Sequence, residues 1–211
     1  TNARTIAEIE LHAMENVTTY IALSGGNNYA EMRGIPDETM QMWSREYMQP
    51  VVFQCRVPNT RWVVTRWPSE GMAQQANLST EAFEKFFFDV CTVDYRKMAE
   101  ACKPLAELMN KTDRVRLVGP GTDLSFSIKD IGAVPCTGEA NIPDGECFSC
   151  PVKDSVNGTI AYNTVSLYQS TEFSNIRYVC KDGKIVEATA GEQTEKLNQI
   201  LDTDEGARYF G

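Results

Sequence analysis

Residues 176–188 read Ile-Arg-Tyr-Val-Cys-Lys-Asp-Gly-Lys-Ile-Val-Glu-Ala, and this stretch decides the fold of the second half of the chain. Two runs rich in β-branched and aromatic residues, Ile176–Cys180 and Lys184–Ala188, flank the dipeptide Asp182-Gly183. Asp-Gly between two such runs is a strong signal for a two-residue hairpin turn, because both central residues of that turn need positive φ. The stretch therefore predicts two antiparallel strands.

The sequence before this hairpin continues the same pattern. A strand-like run begins at Arg114 and reaches the turn Gly119–Thr122, and apolar residues then alternate with polar ones over Leu124–Ile128. The segment Lys153–Thr164 contains Asn157-Gly158, which we expect to form a second hairpin turn. These elements predict an antiparallel meander mixed with earlier strands.

After the hairpin the period becomes helical. A helix is expected from about Glu192 to Leu201, and Asp202–Glu205 is expected to cap a further helix. The sequence stops at Gly211, before that helix is a few turns long. We therefore expect the chain to be an internal piece of a longer protein.

The first half mixes strands and helices. Apolar secondary structure is expected up to the turn Ser24–Asn28, and a helix from Pro36 to Tyr47 that Pro50 ends. Val51–Val57 and Arg61–Trp67 are both strand-like, with Asn59-Thr60 between them as a possible hairpin loop.

A long helical region follows Leu78-Ser79-Thr80-Glu81, where a hydroxyl cap precedes an acidic residue in the first turn. Its apolar spacing continues to about Asn110, with a break expected near Pro104. The fold class is therefore α+β, or mixed α/β: a mixed, largely antiparallel sheet with helices packed against it. Residues 1–112 are assigned to an N-terminal α/β region, and 113–211 to the β-rich start of a second region.

The composition argues against several classes of protein. The net charge of −9 argues against binding to a nucleic-acid backbone. No run approaches the ~20 apolar residues of a membrane helix. Seven cysteines, an odd number, suggest free thiols in a reducing cytoplasm rather than a disulfide framework.

The usual catalytic residue types are scarce. His12 is the single histidine, and it is more simply explained as a structural residue than as a catalytic base. Cys147 and Cys150 form a CxxC pair in a strand-like context before Pro151, where strand alternation would send the two thiols to opposite faces. A structural zinc site normally needs a second such pair. The sequence thus favours either a non-enzyme or an enzyme whose chemistry lies outside this chain.

Two interpretations of the chain stay open from these residues. One is an interaction module whose exposed apolar surface contains the residues Trp62, Trp67, Met40, Met42 and Met48. The other is a phosphate- or nucleotide-binding domain that uses Gly25-Gly26 or Gly119–Gly121, although neither stretch has a standard phosphate-loop spacing.

Glu146 follows the bend Ile142–Gly145 at the entry of a strand, where a carboxylate can be held rigidly. Taken alone, it is better explained as a solvent-exposed strand-end glutamate.

A collinear set of stretches resembles the thermophilic metalloaminopeptidase family, which includes aminopeptidases T, II and S. In chain order they are Arg61–Pro68, Met72–Ala76, Phe86–Phe87, Cys91–Tyr95, Val118–Leu124, Asn141–Glu146, Asp154–Gly158 and Leu201–Arg208. The similarity extends from about Glu8 to the last residue. An ordered set of this kind is far more specific than any single motif.

The resemblance implies a cytoplasmic, homodimeric exopeptidase that removes N-terminal residues from peptides with two divalent metal ions, zinc or cobalt. It implies metal ligands of two glutamates, two histidines and an aspartate, the first glutamate being Glu146. The second glutamate is expected directly after Gly211, and the other ligands further on. The resemblance thus makes 113–211 the incomplete, β-rich start of the metal-binding catalytic region of a larger two-domain enzyme. No catalytic residue and no other cofactor site is assigned within the chain. The segment alone is therefore expected to be inactive and to bind metal weakly or not at all.

Overall fold

The computed structural model describes residues 2–28, 30–168 and 171–210, and the chain divides into two compact units. The first comprises the residues up to Met98 together with Cys136–Gly145; the second comprises Ala99–Pro135 and the residues from Glu146 onward. The predicted regions 1–112 and 113–211 stay a prediction.

The first unit contains a three-stranded parallel sheet. Its strands are β1 (Thr19–Ser24), β2 (Arg61–Arg66) and β6 (Asn141–Ile142), in that order across the sheet. Ser24 lies opposite Arg66, and Thr65 lies opposite Ile142, so the carboxyl ends of the strands share one edge. Parallel neighbours need long crossover connections, and the connection from β1 to β2 is helical.

The helices of the first unit differ in length and type. They are α1 (Asn2–Met14), α2 (Asp37–Trp43), a π-helix (Ser44–Arg56), α3 (Val57–Asn59), α4 (Glu70–Gln75), α5 (Thr80–Cys91) and the start of α6 (Tyr95–Lys111). Ala73, Phe83 and Phe87 form a buried cluster between α4 and α5.

The second unit is built on a five-stranded antiparallel sheet in the order β12-β11-β8-β4-β3. These strands are β3 (Arg114–Gly119), β4 (Thr122–Ser127), β8 (Asn157–Ala161), β11 (Ile176–Lys181) and β12 (Lys184–Ala190). Helix α7 (Thr194–Leu201) contacts β12, and its Leu197 joins the buried core with residues such as Val156, Phe173 and Ile185.

Four short strands complete the described part of the chain. β5 (Val134–Cys136) pairs with β7 (Glu146–Phe148), and β9 (Ser166–Tyr168) pairs with β10 (Thr171–Phe173). The mixed α/β class with a largely antiparallel sheet and packed helices is confirmed. The hairpin at Asp182-Gly183 is also confirmed, since both residues have positive φ.

The expected strand at Val51–Val57 is wrong, because these residues lie in the π-helix, apart from Val57, which begins α3. Val51 and Val52 are both buried, whereas a strand would send consecutive side chains to opposite faces. Pro50 lies inside this helix and does not end it. The predicted hairpin between this run and Arg61–Trp67 is also wrong, because the first of its two strands is helical. Strand β2 instead pairs in parallel with β1.

The helical break near Pro104 is also wrong, because Pro104 lies inside α6. The chain breaks earlier, at Thr92–Asp94. There the Thr92 hydroxyl donates to the Phe88 carbonyl at 2.7 Å. Asp94 Oδ1 accepts from the backbone N–H groups of Arg96 and Lys97, which begins α6 in the manner of an N-cap.

Asn157-Gly158 is not a turn, because both residues lie within β8. A Cβ on Gly158 would stand 2.1 Å from the Asp123 carbonyl oxygen, so glycine is needed for close approach of β8 to β4. The further helix expected after Asp202 is absent from the described residues 202–210. Asp204 Oδ1 instead accepts from the N–H groups of Gly206 and Ala207 in a tight turn.

Candidate functional site

Glu146 is the first residue of β7, as the sequence predicted, and its side chain is exposed. It forms no hydrogen bond or ion pair with any residue that the structure describes. A carboxylate in this state keeps all its lone pairs available for a cation or for solvent.

The loop before Glu146 is held by its own polar groups. The Gly138 N–H donates to Asp144 Oδ2 at 2.8 Å, and the Gly145 N–H donates to Asp144 Oδ1 at 3.1 Å. Thr137 donates to Glu139 through both its backbone N–H and its hydroxyl, which lowers the pKa of the Glu139 carboxyl. Asp144 and Glu139 therefore serve as acceptors inside the loop.

Tyr95 lies against this loop. A Cβ on Gly138 would come within 2.8 Å of the Tyr95 ring, so only glycine fits at that position. Burial raises the pKa of Tyr95, while the nearby Asp144 backbone lowers it to a smaller extent. The Tyr95 hydroxyl is buried without a hydrogen bond of ordinary geometry among the described residues. No local sequence pattern indicates this contact.

The segment after α7 is anchored by Arg208. Its guanidinium donates to Asp202 Oδ1 at 2.6 Å and to Asn198 Oδ1 at 3.0 Å, and its carbonyl accepts from the Ile185 N–H at 2.8 Å. The bond to Arg208 lowers the pKa of Asp202, and the same bond raises the pKa of Arg208. Arg208 thus ties the chain to both α7 and β12.

The structure also describes His12 and the two cysteines of the CxxC pair. His12 is exposed in the last turn of α1. Cys147 lies in β7 and its thiol contacts the Cys102 carbonyl at 3.8 Å. Cys150 lies beyond the end of β7, so strand alternation does not govern the pair. None of the seven cysteines, all of which lie in the described part of the chain, forms a disulfide.

The residues of the alternative interpretations are also placed. Gly25 and Gly26 follow β1 and line a cavity with Arg66. Gly119–Gly121 joins β3 to β4. Trp67 and Met40 are exposed, whereas Trp62, Met42 and Met48 are half-buried.

A metal pair needs more ligands than Glu146. Across residues 2–28, 30–168 and 171–210, no group of three or more His, Cys, Asp or Glu side chains could hold a metal ion. The residues present therefore do not by themselves fit the metal pair expected from sequence.

The model of one protein family, described as thermophilic metalloprotease (M29), matches residues 2–211. The chain belongs to this family. None of the helices in the described part of this M29 chain is both long and apolar enough to cross a membrane.

Curated relatives agree with this placement. Aminopeptidase 2 of Geobacillus stearothermophilus is 39% identical over 71 residues, which is 34% of this chain and 17% of the relative. Aminopeptidase T of Thermus aquaticus is 24% identical over 214 residues, 88% of this chain and 52% of the relative. The M29 chain thus spans about half the length, or less, of the curated relatives that it matches.

The fold matches a solved structure, wild-type AmpT from Thermus thermophilus. The TM-score is 0.78 at 21% identity, and the match covers 98% of this chain and 57% of AmpT. At this identity the likeness shows the shared fold.

Proposed function

We propose that this M29 chain is a segment of a metal-dependent aminopeptidase that removes N-terminal residues from peptides. The family match over residues 2–211 is the observation that carries the proposal. The names of the curated relatives support the exopeptidase class. The substrates are then peptides, and neither a nucleic acid nor a membrane is a partner.

Glu146 is proposed as one ligand of a pair of divalent metal ions, zinc or cobalt. Its support is its exposed carboxylate without a partner among the described residues, at the start of a strand behind a braced loop. Oxygen ligands of this kind suit zinc and cobalt together with imidazoles. A metal pair held there would supply Lewis-acid chemistry, polarising a peptide carbonyl and activating water.

The remaining ligands are proposed to come from sequence outside the 211 residues: a second glutamate, two histidines and an aspartate. Arg208 supports this arrangement, since it fixes the segment next to the position expected for the second glutamate. A homodimer and a cytoplasmic location belong to the same proposal. The odd number of cysteines supports the latter.

The coding sequence around this segment gives the first test. We expect a glutamate codon directly after Gly211, then a His-x-Asp motif and a second histidine. A continuous frame of the relatives' length without these residues would remove the basis of the proposal.

The second test measures activity and metal content in the protein that carries all the ligands. Glu146→Gln should lower kcat for an aminoacyl-p-nitroanilide by about 100-fold or more and reduce bound metal, because it removes a ligand charge. Glu172→Gln is the control, since Glu172 is an exposed strand residue of the same unit. Equal activity in both variants would contradict the assignment of Glu146.

The 211-residue chain alone is expected to be inactive and to bind metal weakly or not at all. Calorimetry with zinc and with cobalt checks this directly. Tight, stoichiometric binding that is abolished by Glu146→Ala would show that the chain holds a complete site.

A further inference from the structure

Two adjoining cavities open at the carboxyl edge of the parallel sheet in the first unit. One, of about 380 Å³, is lined by residues of all three strands, including Thr65, Asn141 and Ile142. The other, of about 290 Å³, is lined by the loops that follow β1 and β2. Both are lined by Ser24 and Arg66. Crevices at the carboxyl ends of parallel strands are a common place for ligands in α/β sheets.

The charge of this crevice is opposite to that of the chain. The net charge of the chain is −9, yet among the residues that the structure describes Arg66 is the only charged one lining either cavity. Its guanidinium forms no ion pair or hydrogen bond with any described residue. Glu31 lies three residues after Asn28, which lines the second cavity, and its carboxylate accepts a hydrogen bond from the Asn28 side-chain amide at 2.9 Å. Arg66 therefore presents a free, fork-shaped donor set to the crevice.

The loops that form the second cavity are fastened together. The Trp67 N–H donates to the Ser24 carbonyl at 2.7 Å, and the Ser69 hydroxyl donates to the Gly26 carbonyl at 2.7 Å. Gly71 lies so close to Asn27 that a Cβ would stand 2.0 Å from the Asn27 carbonyl oxygen. The crevice is thus preformed, which lowers the entropic cost of binding a small molecule.

We propose that this crevice is a binding site for small organic anions, which Arg66 holds by their carboxylate or phosphate group. A guanidinium can bind either group through two parallel hydrogen bonds. The Ser24 hydroxyl, whose contact with the Thr65 carbonyl is long at 3.4 Å, can turn to donate to the same oxyanion. The polar side chains of Asn141 and Gln75 line the rest of the crevice. The site does not involve Glu146.

The test is a titration of the 211-residue chain with inorganic phosphate and, separately, with acetate, followed by NMR of the arginine side-chain Nε–H groups. We expect saturable shifts at Arg66, with the more tightly bound probe identifying the anionic group. Arg66→Gln should weaken binding about tenfold or more. Arg61→Gln is the control, because it removes the same charge from an exposed residue at the opposite end of β2.

A second variant leaves the charge untouched. Gly26 lines the second cavity and a Cβ on it meets no atom within 4 Å, so Gly26→Leu adds a bulky side chain to the cavity lining without a clash at its Cβ. It should weaken binding of the same probe while the melting temperature stays close to that of the parent chain. The proposal is overturned if neither probe saturates, if Arg61→Gln weakens binding as much as Arg66→Gln, or if folded Gly26→Leu binds as the parent does.

Discussion

At the scale of single residues, Gly158 shows how one missing side chain sets a strand contact. Its φ is +118°, and a Cβ would stand 2.1 Å from the Asp123 carbonyl oxygen in β4. Gly158→Ala should therefore lower the free energy of unfolding by about 3 kcal/mol, through backbone strain and separation of the strands. Urea denaturation measures the loss.

Gly119 supplies the matched control, because a Cβ there meets no atom within 4 Å. Gly119→Ala should leave the free energy of unfolding within about 0.5 kcal/mol of the parent value. If the two variants are equally stable, the close contact between β4 and β8 is not as described.

Tyr47 gives a prediction about pH. Its pKa is raised to about 12, first by burial and then by the hydrogen bond that its hydroxyl donates to Glu10 Oε2 at 2.7 Å. An unfolded tyrosine titrates near 10.0, so the folded chain holds this proton more tightly. The resulting stability is fully present below pH ~10 and is lost as pH rises through about 12.

Tyr47→Phe should therefore flatten the alkaline part of the stability profile. Urea midpoints measured from pH ~9 to ~11 should fall more steeply for the parent than for Tyr47→Phe. Tyr168→Phe, a change at an exposed tyrosine, should follow the parent. Parallel profiles for the parent and Tyr47→Phe would show that the phenol is not held by Glu10 and burial.

At the scale of elements, helix α5 depends on its cap. Ser79 Oγ accepts from the Ala82 N–H at 3.2 Å and satisfies one of the donors that every helix start leaves open. Ser79→Ala should cost about 1 kcal/mol of stability, because that donor loses its partner. Thr80→Ala, one residue along, removes no described side-chain bond and should change stability by a few tenths of a kcal/mol at most. A similar loss in both variants would contradict the capping role.

The elements that could be predicted are those with local chemistry of their own. The Asp182-Gly183 hairpin follows from two residues that tolerate positive φ, and the start of α5 follows from its hydroxyl cap. The π-helix Ser44–Arg56 could not be predicted, because the short apolar run that follows Pro50 looks the same in a strand. The turn predicted at Asn157-Gly158 was wrong, because Gly158 allows β8 to approach β4 closely and is not part of a turn. That contact is tertiary, so the local sequence does not indicate it.

At the scale of the whole molecule, part of the candidate site could be predicted and part could not. The position of Glu146 at the start of a strand followed from the bend before it. The contact of Tyr95 with Gly138 joins residues far apart in sequence, and no local pattern indicates it. The free guanidinium of Arg66 in its crevice is hidden for the same reason, because only the parallel pairing of β1 and β2 places Ser24 beside it.

The family placement gives these separate observations one physical account. The chain supplies a braced loop, an exposed carboxylate at Glu146 and an anchored segment at Arg208, while other ligands are proposed to come from elsewhere in a longer protein. The central claim is that the carboxylate of Glu146 binds metal in that protein.

Anomalous X-ray diffraction at the zinc or cobalt absorption edge, on crystals of the protein that carries all the ligands, tests this claim most directly. The account predicts an anomalous peak at about 2.0–2.2 Å from a carboxylate oxygen of Glu146. A fully occupied metal pair that leaves Glu146 in solvent would contradict it.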